Sequence, residues 1–389
     1  MGTFSQITFA EYPAFFNKNW YYEEIVNLLF QPSDFLCEIR KYSTQDKLVL
    51  GDAYENEEET YEFKGFIQSQ KVCKQRLEIF GTSYKKAKAD FSTAKKISRQ
   101  EHFYDFPLSG LTYENYLTEI KDIIQKKERN YDEILPNLRD SLVSGELGLN
   151  GQSLVCQLYS ILSVLPEDAI VEYDLSEIIN AGWVKEDFIK DINFEKIIIL
   201  TEGKTDVEFI SKSIERLYPH LIDYYHFIDF DEYKVESNAS ALVKLVTSFA
   251  AANVKHPIIA LFDNDTTGLM EMKNLKSKSL PYNIRVLKYP DISLAKKYPT
   301  RGPTGRKIMN VNGTACGIEM YFGIDVLTKE NELIPIQWKA YNEKEKKYQG
   351  EIAEKQYAQE TFRQKIKMKN LAEFKEINEL LNEIFNAYK

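Results

Sequence analysis

Two apolar, β-branched runs that stop abruptly at acids and a glycine constrain this chain more than anything else in it. The first is Ile197-Ile198-Ile199-Leu200-Thr201-Glu202-Gly203-Lys204-Thr205-Asp206. The second is Pro257-Ile258-Ile259-Ala260-Leu261-Phe262-Asp263-Asn264-Asp265-Thr266-Thr267-Gly268. Such runs predict strands buried on both faces, hence a parallel sheet. Ligands of an open α/β sheet bind beyond the carboxyl ends of its strands. Glu202 therefore stands at one strand end, and Asp263 and Asp265 at another. Side chains alternate along an extended chain, so both aspartates point the same way. Three hard oxygen donors gathered like this suit Mg²⁺ or Mn²⁺, which clamps phosphate oxygens. Each motif alone is ordinary turn chemistry; their order and spacing supply the constraint. Gly203-Lys204-Thr205 imitates the end of a phosphate-binding loop, but that loop needs a glycine five residues before Gly203, where Ile198 stands.

The pattern around the runs predicts strands near 197–201, 224–230, 257–262 and 283–288. Helices near 205–217, 238–252 and 267–276 lie between them, the alternation of a parallel sheet with right-handed crossovers. Glu202-Gly203 followed by Asp263 and Asp265 at this separation resembles the TOPRIM domain of topoisomerases, primases and several nucleases. The resemblance covers roughly residues 195–330 and implies an α/β TOPRIM fold with a Rossmann-like, parallel four-stranded core. The activity expected is that of a Mg²⁺-dependent (or Mn²⁺-dependent) endonuclease. Asp263 and Asp265 would hold a first metal, and Glu202 would share it or act as general base. Glu319 and Asp291 would complete a second metal site, as acids after the Asp-x-Asp do in TOPRIM nucleases. Lys288 or Lys307 would stabilise the transition state. Asp206 extends the acidic set and either orients Lys204 or caps the helix that follows.

The flanks are less regular. Residues 34–41 and 61–67 predict strands, and 70–92 a helix. An amphipathic helix spans 111–126 with Thr112 as N-cap, and short helices follow at 152–165 and 176–192. After the fourth strand of the α/β region, residues 289–312 are rich in Pro and Gly and read as a mobile active-site loop beside the acidic centre. Residues 313–322 form a turn into a short helix carrying Glu319. From about 351 onward, Phe362, Ile366, Leu371, Phe374, Ile377, Leu381, Ile384 and Phe385 mark two amphipathic helices, whose stripe either packs on the sheet or serves a homodimer. The expected domains are 1–192, mostly helical α+β; 193–330, the TOPRIM region; and 331–389, a helical extension.

Residues 76–91, 111–126, 288–305 and 317–322 resemble the bacterial group with a HEPN/TOPRIM-associated N-terminal domain, linked with anti-phage defence. The motifs that carry it are Tyr289-Pro290-Asp291, Pro299-Thr300-Arg301-Gly302-Pro303 and Ile318-Glu319-Met320-Tyr321. That resemblance implies a toxin-like effector cutting RNA, tRNA among the substrates, or DNA, under a partner such as an ATPase or a reverse transcriptase. No histidine follows an arginine at the spacing of HEPN ribonucleases (Arg99 and His102, Arg216 and His220 are too close), so the N-terminal half is not expected to be a second nuclease. A non-catalytic scaffold binding nucleic acid or protein is the alternative; retention of all three acids argues against it.

Composition narrows the partners. Net charge is −9, against nonspecific polyanion binding by the whole surface. Locally, residues 285–310 carry seven basic side chains against the single acid Asp291, whereas residues 51–62 carry six acids and no base. Lys204, Arg301, Arg306 and Lys307 are therefore the candidate nucleic-acid contacts. The four cysteines form no Cys-x-x-Cys pair, which excludes a zinc ribbon and predicts buried, reduced thiols. No apolar run is long enough to span a bilayer, and the chain reads as cytosolic, with no membrane partner.

Overall fold

Alternation of buried and exposed residues builds the first sheet, and continuous burial builds the second. A computed structural model describes residues 3–41, 60–101, 103–104, 106–128, 137–192, 195–228, 230, 234, 236–303, 305–368 and 373–389. The acidic run at 51–59, His102 and Leu371 lie outside the described residues. The chain divides into two units, Met1–Phe194 with Tyr388–Lys389, and Glu195–Ala387.

In the first unit, β1 (Phe4–Phe9), β2 (Tyr12–Lys18), β3 (Phe35–Lys41), β4 (Thr60–Ser69) and β5 (Ile170–Asp174) form an antiparallel sheet in the order β2-β1-β5-β4-β3. This is more strand than the mostly helical reading allowed. The central strand β5 falls between the two helices expected around it, with Val171 and Tyr173 fully buried. It takes its stability from β1 and β4, partners remote in sequence, and so carries little local signal. The helix expected over 70–92 is two helices, Gln70–Ile79 and Tyr84–Gln100. Gly81 separates them at φ +85°, the left-handed conformation that ends helices, and Ser83 caps the second by accepting from the Lys86 N–H. Thr112 caps Tyr113–Lys126 as expected. Helix Leu154–Ser163, buried along most of its length, packs against Gln70–Ile79, Tyr84–Gln100 and Tyr113–Lys126. A buried ion pair lies in this unit: Arg76 donates to Asp34, to Leu29 O at 2.7 Å and to Gln31 Oε1 at 2.9 Å. Cys73, Cys156 and Cys316 are buried as expected, but Cys37 on the edge strand β3 is exposed.

In the second unit, β6 (Ile197–Leu200), β7 (Tyr225–Phe227), β8 (Ile258–Phe262) and β10 (Ile284–Lys288) form a parallel sheet in the order β10-β8-β6-β7. Helices Lys204–Leu217, Ala239–Ala251 and Thr266–Lys276 connect them. All five residues of β8 are buried, as its unbroken apolar run required. The two-residue β9 (Asn264–Asp265) bridges to β13 (Ala315–Cys316).

The stretch expected as a loop is structured instead. β11 (Tyr298–Gly302) and β12 (Gly305–Met309) form a hairpin that joins β16 (Ile336–Asn342) and β17 (Lys347–Ile352) in a sheet ordered β12-β11-β16-β17; β14 (Thr328–Lys329) and β15 (Glu332–Leu333) are a small hairpin between. Pairing with distant β16 supplies what the Pro- and Gly-rich local sequence does not. Residues 331–387 thus contribute strands as well as helices Lys355–Lys367 and Lys375–Phe385, and pack within the second unit. The C-terminal stripe is core: Phe362 stacks on Phe322 at 4.1 Å and meets Phe209 at 5.5 Å between ring centroids. Among the described residues no helix is long and apolar enough to cross a membrane.

Candidate metal centre

The chain leaves β6 toward β7 on one side and returns to β8 on the other. That reversal opens a crevice at the carboxyl ends of the adjacent strands β6 and β8. Glu202 follows β6 and Asp263 follows β8, and Glu202 Oε1 accepts from the Asp263 N–H at 2.8 Å. Gly268 permits this approach, since a Cβ there would lie 2.6 Å from Asp263 O and 2.8 Å from Glu202 Oε1. Asp265 caps helix Thr266–Lys276 by accepting from the Gly268 N–H at 2.7 Å, and its other oxygen accepts from the Gln349 amide on β17. The predicted alternation holds. Asn264 turns the other way and donates to Asp291 Oδ1 at 2.8 Å, and Lys288 pairs with that same oxygen at 2.6 Å. Asp291 and Lys288 therefore stand with Asn264 rather than with Glu202.

Two further acids close on the crevice. Glu319, in the turn Ile318–Tyr321, is buried; its Oε1 accepts from Gln359 at 2.7 Å and pairs with Lys355 at 3.2 Å. A Cβ at Gly317 would lie 3.3 Å from Glu319 Oε2 and 3.4 Å from Asp263 Oδ2, so these carboxylates flank one bare glycine. Buried Asp206 accepts from the Tyr289 hydroxyl at 2.8 Å and from the Gly203 backbone. The bond from the Gly203 backbone is a helix-capping contact.

Crowding of buried acids dominates the electrostatics. Burial, then the charge of Asp265, raises Glu202 to about 8. Burial raises Asp206 to about 6, although the Tyr289 hydroxyl bond works against it. Asp263 is pushed well above its ordinary value by burial and by Glu202, and Asp265 is raised by burial despite hydrogen bonds from Gly268, Gln349 and Thr267. Asp291, outside the cluster, is lowered by its bond from Lys288. For Lys355, burial opposes the charge but Glu319, Asp263 and Asp206 outweigh it and hold the ammonium charged. Raised acids bind protons more tightly folded than unfolded, so their stabilisation is complete below the unfolded value and fades as pH rises through the folded one. Without divalent cations, thermal or urea unfolding should therefore show stability falling by roughly 2–3 kcal/mol between about pH 5 and pH 8. Adding Mg²⁺ or Mn²⁺ should reverse the loss; a flat profile would contradict the crowding.

The donor chemistry fits a hard divalent cation. Asp263 Oδ1 is buried and has no hydrogen-bond partner among the described residues, an arrangement that is costly unless a cation or proton answers it. The spacing is looser than a formed cage: among the described residues no three His, Cys, Asp or Glu side chains stand ready-made around a metal. Glu202 and Asp265 spend oxygens on the Asp263 N–H, the Gly268 N–H and Gln349.

The remaining candidates lie elsewhere. Lys204 is exposed at the start of its helix. Arg301 is exposed on β11, Arg306 pairs with Glu332 at 3.1 Å, and Lys307 is exposed on β12. β12, which carries Arg306 and Lys307, is three strand spacings from β17, about 14 Å, and β11, which carries Arg301, is two. Tyr289, Gln349, Gln359 and Lys355 were not singled out from the sequence as site residues. Tyr289 had a signal, its place after a strand beside the acidic motifs; Gln349 and Lys355 reach the centre only through tertiary packing.

Residues 1–196 match the family described as HEPN/Toprim N-terminal domain 1. No curated protein and no solved structure matches the chain.

Proposed function

The chain belongs to the HEPN/Toprim N-terminal domain 1 family, and from that premise we propose that its second unit is a TOPRIM-type, divalent-cation-dependent endonuclease. The observation that carries this reading is the orphaned Asp263 Oδ1 amid Glu202, Asp206, Asp265 and Glu319 at the switch point of a parallel sheet. Glu202, Asp263 and Asp265 would hold Mg²⁺ or Mn²⁺, with Glu319 and Asp206 available to a second ion. Bound there, the cation would neutralise phosphate charge and acidify a water nucleophile.

The chain's own residues do the rest. Glu202 would either share that cation or take the proton of the attacking water as its oxygen bonds phosphorus and the P–O ester bond breaks, the departing oxygen taking a proton from solvent. Lys355, charged beside Glu319, would offset negative charge developing on the phosphate. Lys288 is committed to Asp291 and Asn264 and serves to fix the far side of the Asp-Asn-Asp segment. An anti-phage role is what the defence-group resemblance implies; plating efficiency of phage on cells carrying the wild type or Asp263→Asn tests it.

The biochemical test uses the purified full chain with plasmid DNA, single-stranded DNA and tRNA in Mg²⁺ or Mn²⁺. Cleavage is expected in the wild type and should fall at least about a hundredfold in Glu202→Gln and Asp265→Asn. Cleavage undiminished in both variants would remove the reading.

A further inference from the structure

β17 carries more than Gln349. Its neighbour Tyr348 accepts from the Thr266 hydroxyl through its carbonyl at 2.7 Å, so the strand is fastened directly to the segment that follows Asp265. On the sheet face that carries the Tyr348 side chain, three aromatic rings lie together. Trp338 and Tyr348 are 5.7 Å apart between centroids, and Tyr341 and Tyr348 are 5.0 Å apart. Tyr341 and Tyr348 are 51% and 49% exposed, and Trp338 is half-buried.

The indole is seated by two glycines. Trp338 pairs across the ladder with Gly350 on β17, and on its other side approaches Gly302 on β11. A Cβ at Gly350 would lie 2.8 Å from Trp338 Cε3, and one at Gly302 would lie 3.1 Å from Trp338 Cδ1. Any larger residue on either neighbouring strand would lift the ring. An irregularity in the β16–β17 pairing between Trp338 and Ala340 shifts the alternation, which brings Tyr341 onto the same face as Trp338. A cation shares this face: Lys307, opposite Thr300 in the β11–β12 ladder, falls on it by alternation, whereas Lys347, next to Tyr348, alternates to the other face.

Half-exposed aromatic rings clustered on one sheet face, tilted 44° (Trp338–Tyr348) and 65° (Tyr341–Tyr348) to one another and sharing that face with a lysine, are suited to stack splayed, unpaired nucleobases while the cation holds the backbone. A duplex offers its bases only at an end, so such a surface selects single-stranded or splayed nucleotides. We propose that Trp338, Tyr341 and Tyr348 form a base-stacking platform that holds a single-stranded segment of nucleic acid on the sheet face opposite the one from which Gln349 reaches Asp265. This rests on the nuclease reading for its purpose, but not for its test.

The test measures binding without cleavage, in EDTA at low salt, by the anisotropy of fluorescein-labelled 12-nucleotide single strands and a 12-base-pair duplex, using the full chain. The single strand should bind more tightly than the duplex. Trp338→Ala and Tyr348→Ala should each weaken single-strand binding by roughly five- to a hundredfold, while Trp338→Phe stays near the wild type. Tyr341→Ala, at an exposed position, keeps the test valid should Trp338→Ala fail to fold. In a chain with Trp20→Phe and Trp183→Phe, emission from Trp338 should be quenched by the single strand. Comparing DNA with RNA strands identifies the sugar the platform accepts. Unchanged single-strand affinity in the alanine variants, equal losses for the duplex, or no quenching would overturn the proposal. If Asp263→Asn abolishes cleavage while Trp338→Ala leaves affinity intact, the platform falls and the nuclease reading stands. If the chain cuts nothing but Trp338→Ala weakens binding, the platform stands alone.

Discussion

Asp263→Asn should abolish divalent-dependent cleavage, a loss of at least about a thousandfold, and yet make the metal-free protein more stable. The two effects share one cause. Asp263 is buried, one oxygen has no partner, and Glu202, Asp206, Asp265 and Glu319 all press its charge upward. An uncharged amide of the same shape removes that repulsion and should raise stability by roughly 1–3 kcal/mol in EDTA. It also removes the oxygen least committed to the protein, and with it the strongest reason for a cation to bind. Thermal melts in EDTA and a cleavage assay in Mn²⁺ read the two effects separately. An Asn variant that is inactive but less stable than the wild type would mean that the carboxylate holds the fold, not a metal.

The second large effect belongs to the first unit. Arg76→Ala should destabilise it by roughly 3–5 kcal/mol, because it strands Asp34 in the core. The guanidinium is fully buried, and Asp34 retains only the Gln31 N–H at 2.8 Å and the Gln68 amide at 2.9 Å. Replacing both partners, Arg76→Met with Asp34→Leu, should recover most of the loss, since a buried pair exchanged for apolar residues is often neutral. Urea unfolding of the single and double variants measures the difference. A double variant no better than Arg76→Ala would show that the hydrogen bonds to Leu29 and Gln31 matter more than the charge.

What was legible in the sequence follows from how local each cause is. β6 and β8 could be read because burial on both faces makes an unbroken apolar run, and the acids at their ends were fixed by strand geometry alone. The alternation that sets Asn264 opposite Asp263 and Asp265 was equally local. β5 was hidden because its five residues matter only when β1 and β4 enclose them. The hairpin of β11 and β12 was hidden by its own prolines and glycines, and becomes regular only against β16. For the same reason the basic residues Arg301, Arg306 and Lys307 belong to the β11–β12 hairpin, while Lys355, delivered by a C-terminal helix, pairs with Glu319. The aromatic patch was illegible too. Trp338 and Tyr341 share a face only because the ladder slips between them.

The central claim is that Glu202, Asp263 and Asp265 at the ends of β6 and β8, with Asp206 and Glu319 beside them, form a divalent-cation centre. Mn²⁺ binding to the full chain, followed by electron paramagnetic resonance and by calorimetry in two buffers of different ionisation enthalpy, tests it most directly. The wild type should bind Mn²⁺ with proton release near pH 7, because Glu202 and its neighbours hold protons there until a cation displaces them. Asp263→Asn combined with Glu202→Gln should bind at least about a hundredfold more weakly and release fewer protons. Equal Mn²⁺ affinity in wild type and double variant, with no proton release from either, would contradict the account.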